Sequence, residues 1–176
     1  LSEYTELFKT GWVEVRDALS KNDVAIEFVS YINLKSTDTI YGAFVLKNDW
    51  KNPKYIELCN NSEIREIIKN KPSKLYSKEL SNKLYKHIWE PLEKYMNKND
   101  NVYFSPSGAI HTLSLESLYD NEGIMLEEKY NMYRTSTTKN ICIKQETPSY
   151  KSAAIYGGLR YDIDSLQYIK ENTYRI

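Results

Sequence analysis

The sequence predicts an α/β domain: a mixed β-sheet flanked by helices. Three observations predict it. Two runs, Asp23–Ile32 and 40–46, carry β-branched and aromatic residues in alternation and are joined by a short polar link, so a hairpin is the default pairing. An amphipathic helix follows, with Leu80, Leu84, Ile88, Leu92 and Tyr95 on one stripe. Beyond it, short apolar runs alternate with helical stretches, an order that mixes strand directions within one sheet and lays helices over it.

The elements follow in order. Residues 1–19 read as helix, with Trp12, Val15 and Leu19 at helical spacing. Gly11 costs this helix about 1 kcal/mol relative to alanine, so a break and restart is expected there, with Thr10 as cap. The first strand spans Asp23–Ile32, Lys35 to Thr39 form a turn, and the second strand runs from Ile40 to Leu46. Asn48 to Pro53 is a loop before a short third strand, Tyr55 to Cys59. Asn61 or Ser62 caps a short helix over 63–68. The long helix covers 77–96, and Pro91 cannot donate to the His87 carbonyl, which predicts a kink or break. A buried-type strand at 102–104 leads into the turn Ser105-Pro-Ser-Gly108, where Pro106 presets the backbone and Gly108 closes it. Residues 109–119 read as a short helix after a bend, 123–137 as two short strands, and 136–141 as a helical turn. A loop at 145–151, a last buried strand at 152–156 ending in Gly157-Gly158, and a polar tail complete the chain.

Composition bounds the function. The 176 residues suffice for one domain with a real core, and 41% hydrophobic with 27% charged residues is a globular balance. Lys+Arg and Asp+Glu are both 24, so no overall positive field draws nucleic acid or an anionic membrane. Cys59 and Cys142 stand far apart, outside any C-x-x-C pair, which argues against a disulfide framework or zinc site and for free thiols in a reducing compartment. Without an apolar run near 18 residues or a targeting segment, a soluble, cytoplasmic protein is expected. The chain opens on Leu1 rather than Met and is expected to be a piece of a longer polypeptide.

The chemistry-bearing residues are few. His87 sits beside the apolar stripe of the long helix and reads as a half-exposed helix residue. His111 follows a strand, a tight turn and a bend, a usual place for a site; it is the one catalytic candidate, although a histidine bonded to nearby backbone is the favoured reading. Either cysteine would serve as nucleophile only with an imidazole close by to lower its pKa; the default is a small buried hydrophobe. The stretch Phe104 to Gly108 lacks the first glycine of a G-x-S-x-G elbow, and Gly157-Gly158 completes no phosphate-loop motif. Glu122, Glu127 and Glu128, and the lysines from Lys69 to Lys78, read as solvated faces.

Several stretches, in order, resemble the CHAT family of caspase-like domains associated with tetratricopeptide repeats. Trp12-Val-Glu-Val-Arg-Asp-Ala-Leu19 with Asp23-Val-Ala-Ile-Glu-Phe28 resembles its opening helix and first strand, and Tyr41-Gly-Ala-Phe-Val-Leu46 its next strand. Trp89-Glu-Pro-Leu92 is similar to the helix end with a Pro-Leu pair. The most specific stretch is 102–118, which resembles the family's strand, turn, histidine and apolar-Glu-x-Leu helix, with Ser107 in place of the usual turn residue and Ser114 where proline is common. Ala153 to Gly158 resembles a strand opening the caspase-like core. The resemblance implies a catalytic His–Cys pair located after that last segment, hence no catalytic residue in this chain. Ser105, Pro106, Gly108, His111 and Glu116 are then a structural motif. It further implies an opening helix over 1–20 that follows upstream repeats, a pseudo-caspase-like part over 21–150, and the first core strand over 151–176. The expected function is the non-catalytic front of a bacterial CHAT-type cysteine peptidase, with a protein-interaction module as the alternative. The partners it implies are the missing carboxy-terminal caspase-like half, the upstream repeats, and protein substrates or protein partners. No nucleic acid, membrane, metal or cofactor is called for.

Overall fold

A computed structural model describes residues 8–35, 37–69, 77–143 and 152. Except for Ser152, they lie within one compact unit, Leu1–Lys144. The expected loop at 145–151, strand at 152–156, glycine pair and tail lie outside the described residues, Ser152 apart.

Phe8 and Lys9 are helical, the chain opens at Thr10 and Gly11, and helix α1 restarts over Trp12–Ala18. The break falls where the glycine predicted it. Gly11, not Thr10, holds the cap position, and its N–H donates to Glu14 Oε2 at 2.8 Å. Strand β1 (Asp23–Ile32) pairs antiparallel with β2 (Thr39–Leu46), which pairs antiparallel with β3 (Lys54–Asn60). The predicted hairpin is present, extended into a meander. The β2–β3 register shifts between Tyr41 and Gly42, whose partners are Cys59 and Glu57, so Leu58 is left as a bulge.

Helix α2 (Asn61–Lys69) begins two residues ahead of the expected span, because Glu63 reaches back to accept the Asn60 N–H at 2.7 Å. The long helix divides as the proline requires, into α3 (Lys78–Ile88) and a single turn, α4 (Glu90–Glu93), with Trp89 at the joint. Strand β4 (Asn101–Ser105) then runs parallel to β1 on the side away from β2. Two 3₁₀ turns, Gly108–Thr112 and Leu115–Ser117, take the place of the predicted short helix, since Leu113 and Ser114 between them are not helical.

The stretch expected to hold two strands holds one. A helical turn, α5 (Leu126–Lys129), precedes β5 (Asn131–Arg134), and the first expected strand is reduced to a bridge between Tyr119 and Met125. Helix wins there because Leu126 is the only fully buried side chain of that turn while Glu127 and Glu128 stay in water, and Glu128 accepts the Met125 N–H. The expected helical turn after β5 is the 3₁₀ segment Thr138–Cys142. The sheet order is β3-β2-β1-β4-β5, with two antiparallel and two parallel pairings: a mixed α/β sheet, as predicted.

Strand alternation gives the sheet two unlike faces. Val24, Ile26, Phe28, Ala43, Val45, Val102 and Phe104 point to the face covered by α2 to α5 and the 3₁₀ turns, where Trp89 is fully buried between Phe28, Phe104 and Tyr130. The opposite face carries a small cluster of Val15, Leu19, Ala25 and Leu46 under α1. Phe44, Tyr31, Tyr55 and Tyr133 remain exposed, each above 40%.

Candidate functional site

The segment that carries the most specific resemblance, Ser105 to Glu116, follows β4 at the end of the parallel strands. Parallel strands in mixed sheets leave their carboxyl ends facing loops, and ligands gather there. The five expected motif residues fall within this one segment by sequence, and the structure shows what fastens it. The Ser105 hydroxyl donates to the Ser136 carbonyl at 3.0 Å, and Pro106 is buried. Gly108 has φ +58°, and a Cβ there would lie 2.8 Å from the Tyr41 ring. Glycine is needed at this position twice over, for its backbone angle and for the approach of that ring. Tyr41 Oη, in turn, accepts from the Ala109 N–H at 3.1 Å and donates to Asn61 Oδ1 at 3.2 Å, so the turn is fastened to β2 and α2.

The other end of the segment is fastened by Arg134, the last residue of β5. Its guanidinium donates to both Glu116 oxygens, at 2.9 and 3.0 Å, and also to the carbonyls of Leu113 at 2.6 Å and His111 at 3.3 Å. It stacks over the Phe104 ring at 5.2 Å. The planar fork suits this task, since one side chain satisfies a carboxylate and two carbonyls of an irregular turn. Burial pushes the Glu116 carboxyl up, the Arg134 guanidinium outweighs it, and the net shift is down. Arg134 was not legible as a site residue; it sits in a polar stretch with no local pattern, and only the pairing of β5 with β4 brings it here.

His111 is exposed, and its engagement differs from the expected one. Among the described residues its carbonyl, not its ring, is bonded, and the donor is Arg134 rather than nearby backbone. His87 is half-buried as predicted and lines a shallow polar cleft with Glu63, Glu66 and Glu79.

The two thiols lie on opposite faces of the sheet. Cys59 packs in the main core, turned inward by the bulge at Leu58, and burial pushes its thiol up to about 12, with the Glu63 carboxylate adding to the effect. Cys142 packs against the small cluster under α1, where burial first and Glu14 second also raise its thiol. Both are free. Thiols shifted in this direction hold little thiolate near neutral pH, and thiolate is the nucleophile. Among the described residues, no hydrogen bond joins either sulfur to an imidazole, and no group of three His, Cys, Asp or Glu side chains is placed to hold a metal.

A second polar cluster lies below the covered face. The Lys129 ammonium bridges Glu93 at 2.8 Å and the buried Asp120 at 2.9 Å, and Glu93 also accepts from Tyr85 and Tyr130. Burial raises the Asp120 carboxyl, but the Ile124 N–H, Lys129 and the Glu122 N–H lower it further, so it stays ionised. Every member has partners, which marks a structural network joining α3, α4 and α5. Among the described residues no helix is long and apolar enough to cross a membrane. Comparison with models of known protein families returned no match, and a search of curated proteins found none.

Proposed function

We propose that this chain is the supporting, non-catalytic front part of a CHAT-type cysteine peptidase, with the finer likeness of its sheet to a caspase-like pseudo-protease half. The observation that carries the reading is the way the resembling motif is used. The Ser105–Glu116 segment is fixed at one end by Tyr41 and at the other by Arg134, and its exposed histidine contributes a carbonyl to that fastening. That is the behaviour of a framework that holds the shape of a strand end. The raised thiols of Cys59 and Cys142 support the same reading.

In this reading the reactive thiolate and its imidazole belong to polypeptide that follows in the intact protein, and the thiolate attacks a peptide carbonyl there. Upstream tetratricopeptide repeats would act through this framework. The test is a pair of assays on a peptide library. The chain alone is expected to give no turnover, and the chain joined to the following domain of about 150 residues is expected to cleave. Turnover by the chain alone that disappears in Cys59→Ala or Cys142→Ala would overturn the proposal.

A second reading, a non-enzymatic protein-interaction module of a repeat-containing bacterial protein, is favoured by the exposed Tyr31, Phe44 and Tyr55 on the lightly covered face. The two separate on the polypeptide that follows. A buried strand ending in histidine and another ending in cysteine belong to the peptidase, and their absence to the module.

A further inference from the structure

A cleft of about 910 Å³ opens at the end of the sheet opposite the Ser105–Glu116 segment, where β1 begins, β2 turns into β3, and α4 ends. Lys21, Lys47, Lys54 and Lys94 line it, together with Trp50 and Tyr95. Three of the ammonium groups converge on Tyr95. Lys54 Nζ lies 5.0 Å and Lys94 Nζ 5.1 Å from its ring centroid, and Lys47 Nζ is 3.5 Å from its carbonyl oxygen. Lys54 Nζ also lies 4.0 Å from the centroid of Trp50, which meets Tyr95 edge-on.

Like charges gathered on one ring repel, and long lysine side chains are free to swing apart unless something holds them. Here the aromatic faces hold Lys54 and Lys94, and the Tyr95 carbonyl and Asp100 hold Lys47. The opposing charge is small. Asp100 faces Lys47 at 3.5 Å and is itself buried and occupied by the Asn97 N–H, while Asp49 lies at the exposed rim. Among the described residues no carboxylate pairs with Lys21, Lys54 or Lys94. Positive charge therefore stays in excess in a concave site, although the chain as a whole has formal net charge zero.

We propose that this cleft binds a compact anion carrying two or more phosphate groups. Lysine is a point-charge donor that meets phosphate oxygens from several directions, which suits a small, multiply charged ligand. Trp50, beside Lys54, reports on occupancy.

The experiment is calorimetric titration of the protein with inorganic pyrophosphate and tripolyphosphate at low and physiological salt, with tryptophan fluorescence recorded in parallel. Saturable binding with a fluorescence change is expected, tighter for tripolyphosphate and weakened by salt. The Lys54→Gln/Lys94→Gln double variant is expected to lose tenfold or more in affinity, and Lys35→Gln, in the distant β1–β2 turn, to bind like the parent. Equal losses in both variants would mean unspecific attraction and overturn the proposal. So would the absence of saturable heat with either anion in a protein of parent-like circular dichroism. Binding of polyglutamate in place of both phosphates would also overturn it and assign the cleft to an acidic polypeptide.

Discussion

The two faces of the sheet use the same strands to different ends. On the covered face, strand residues meet helices, Trp89 fills the centre without exposure, and polar groups such as Asp120 and Glu93 are answered by Lys129. On the other face, among the described residues, only the seven-residue α1 and the Thr138–Cys142 turn lie over the sheet, and they reach part of its surface. There Glu27 accepts from the Thr138 N–H and hydroxyl, while Phe44 and Tyr55 pack on each other in the open. An apolar cleft of about 360 Å³ lies beside them, floored by Ala25 and Leu46. The difference teaches that stability and availability have been divided between the faces. The first specifies the fold, and the second leaves aromatic surface of the kind that partners use.

The largest expected effect tests the first half of this contrast. Trp89→Ala empties the centre of the covered face and is expected to cost about 3–5 kcal/mol in chemical denaturation. A loss below about 1 kcal/mol would mean that the covered face is not where stability resides.

Arg134→Ala comes next. It leaves Glu116 and two carbonyls without their donor, for an expected loss of about 1.5–3 kcal/mol. The same pair sets a pH dependence. The folded Glu116 carboxyl lies below its ordinary value of 4.5, so the stability it contributes is present above that pH and lost as the pH falls through its folded value. Stability curves of parent and Arg134→Ala are therefore expected to converge in acid. Parallel curves down to pH 2 would remove the ion pair from the account.

Gly108→Ala should cost about 1–2 kcal/mol from the backbone angle, with the Tyr41 ring displaced in addition. The Ala109 amide, now bonded to Tyr41, is expected to exchange faster. The smallest effect belongs to the lightly covered face. Phe44→Ser and Tyr55→Ser are expected to cost no more than about 1 kcal/mol each, the worth of a half-exposed cross-strand aromatic pair. A cost like that of Trp89→Ala would erase the distinction between the faces.

Much of the sheet was legible. The alternation of Val24, Ile26 and Phe28 marked β1 as a strand without saying which face turns inward, and Pro91 located the helix break to within two residues. What escaped was decided by partners distant in sequence. Glu127 and Glu128 carried no signal against a strand until Leu126 was given the core to fill. Ile32 continues the alternation of β1, yet is 66% exposed, at the strand end where Ser30, Tyr31 and Ile32 are all exposed. In the candidate site the glycine and the turn were readable from local chemistry, and the fastenings were not. Tyr41 and Arg134 act across gaps of 68 and about 20 residues, and no local spacing encodes such choices.

The position of Arg134 along the chain has a consequence for synthesis. The segment from Gly108 to Glu116 leaves the ribosome well before the residue that fastens it, and at about 5–20 residues per second that interval lasts on the order of seconds. A nascent chain released short of Arg134 would carry the turn, the glycine and the tyrosine and still leave the bend unlocked. Completion of the motif thus signals that the fifth strand has been made and has docked.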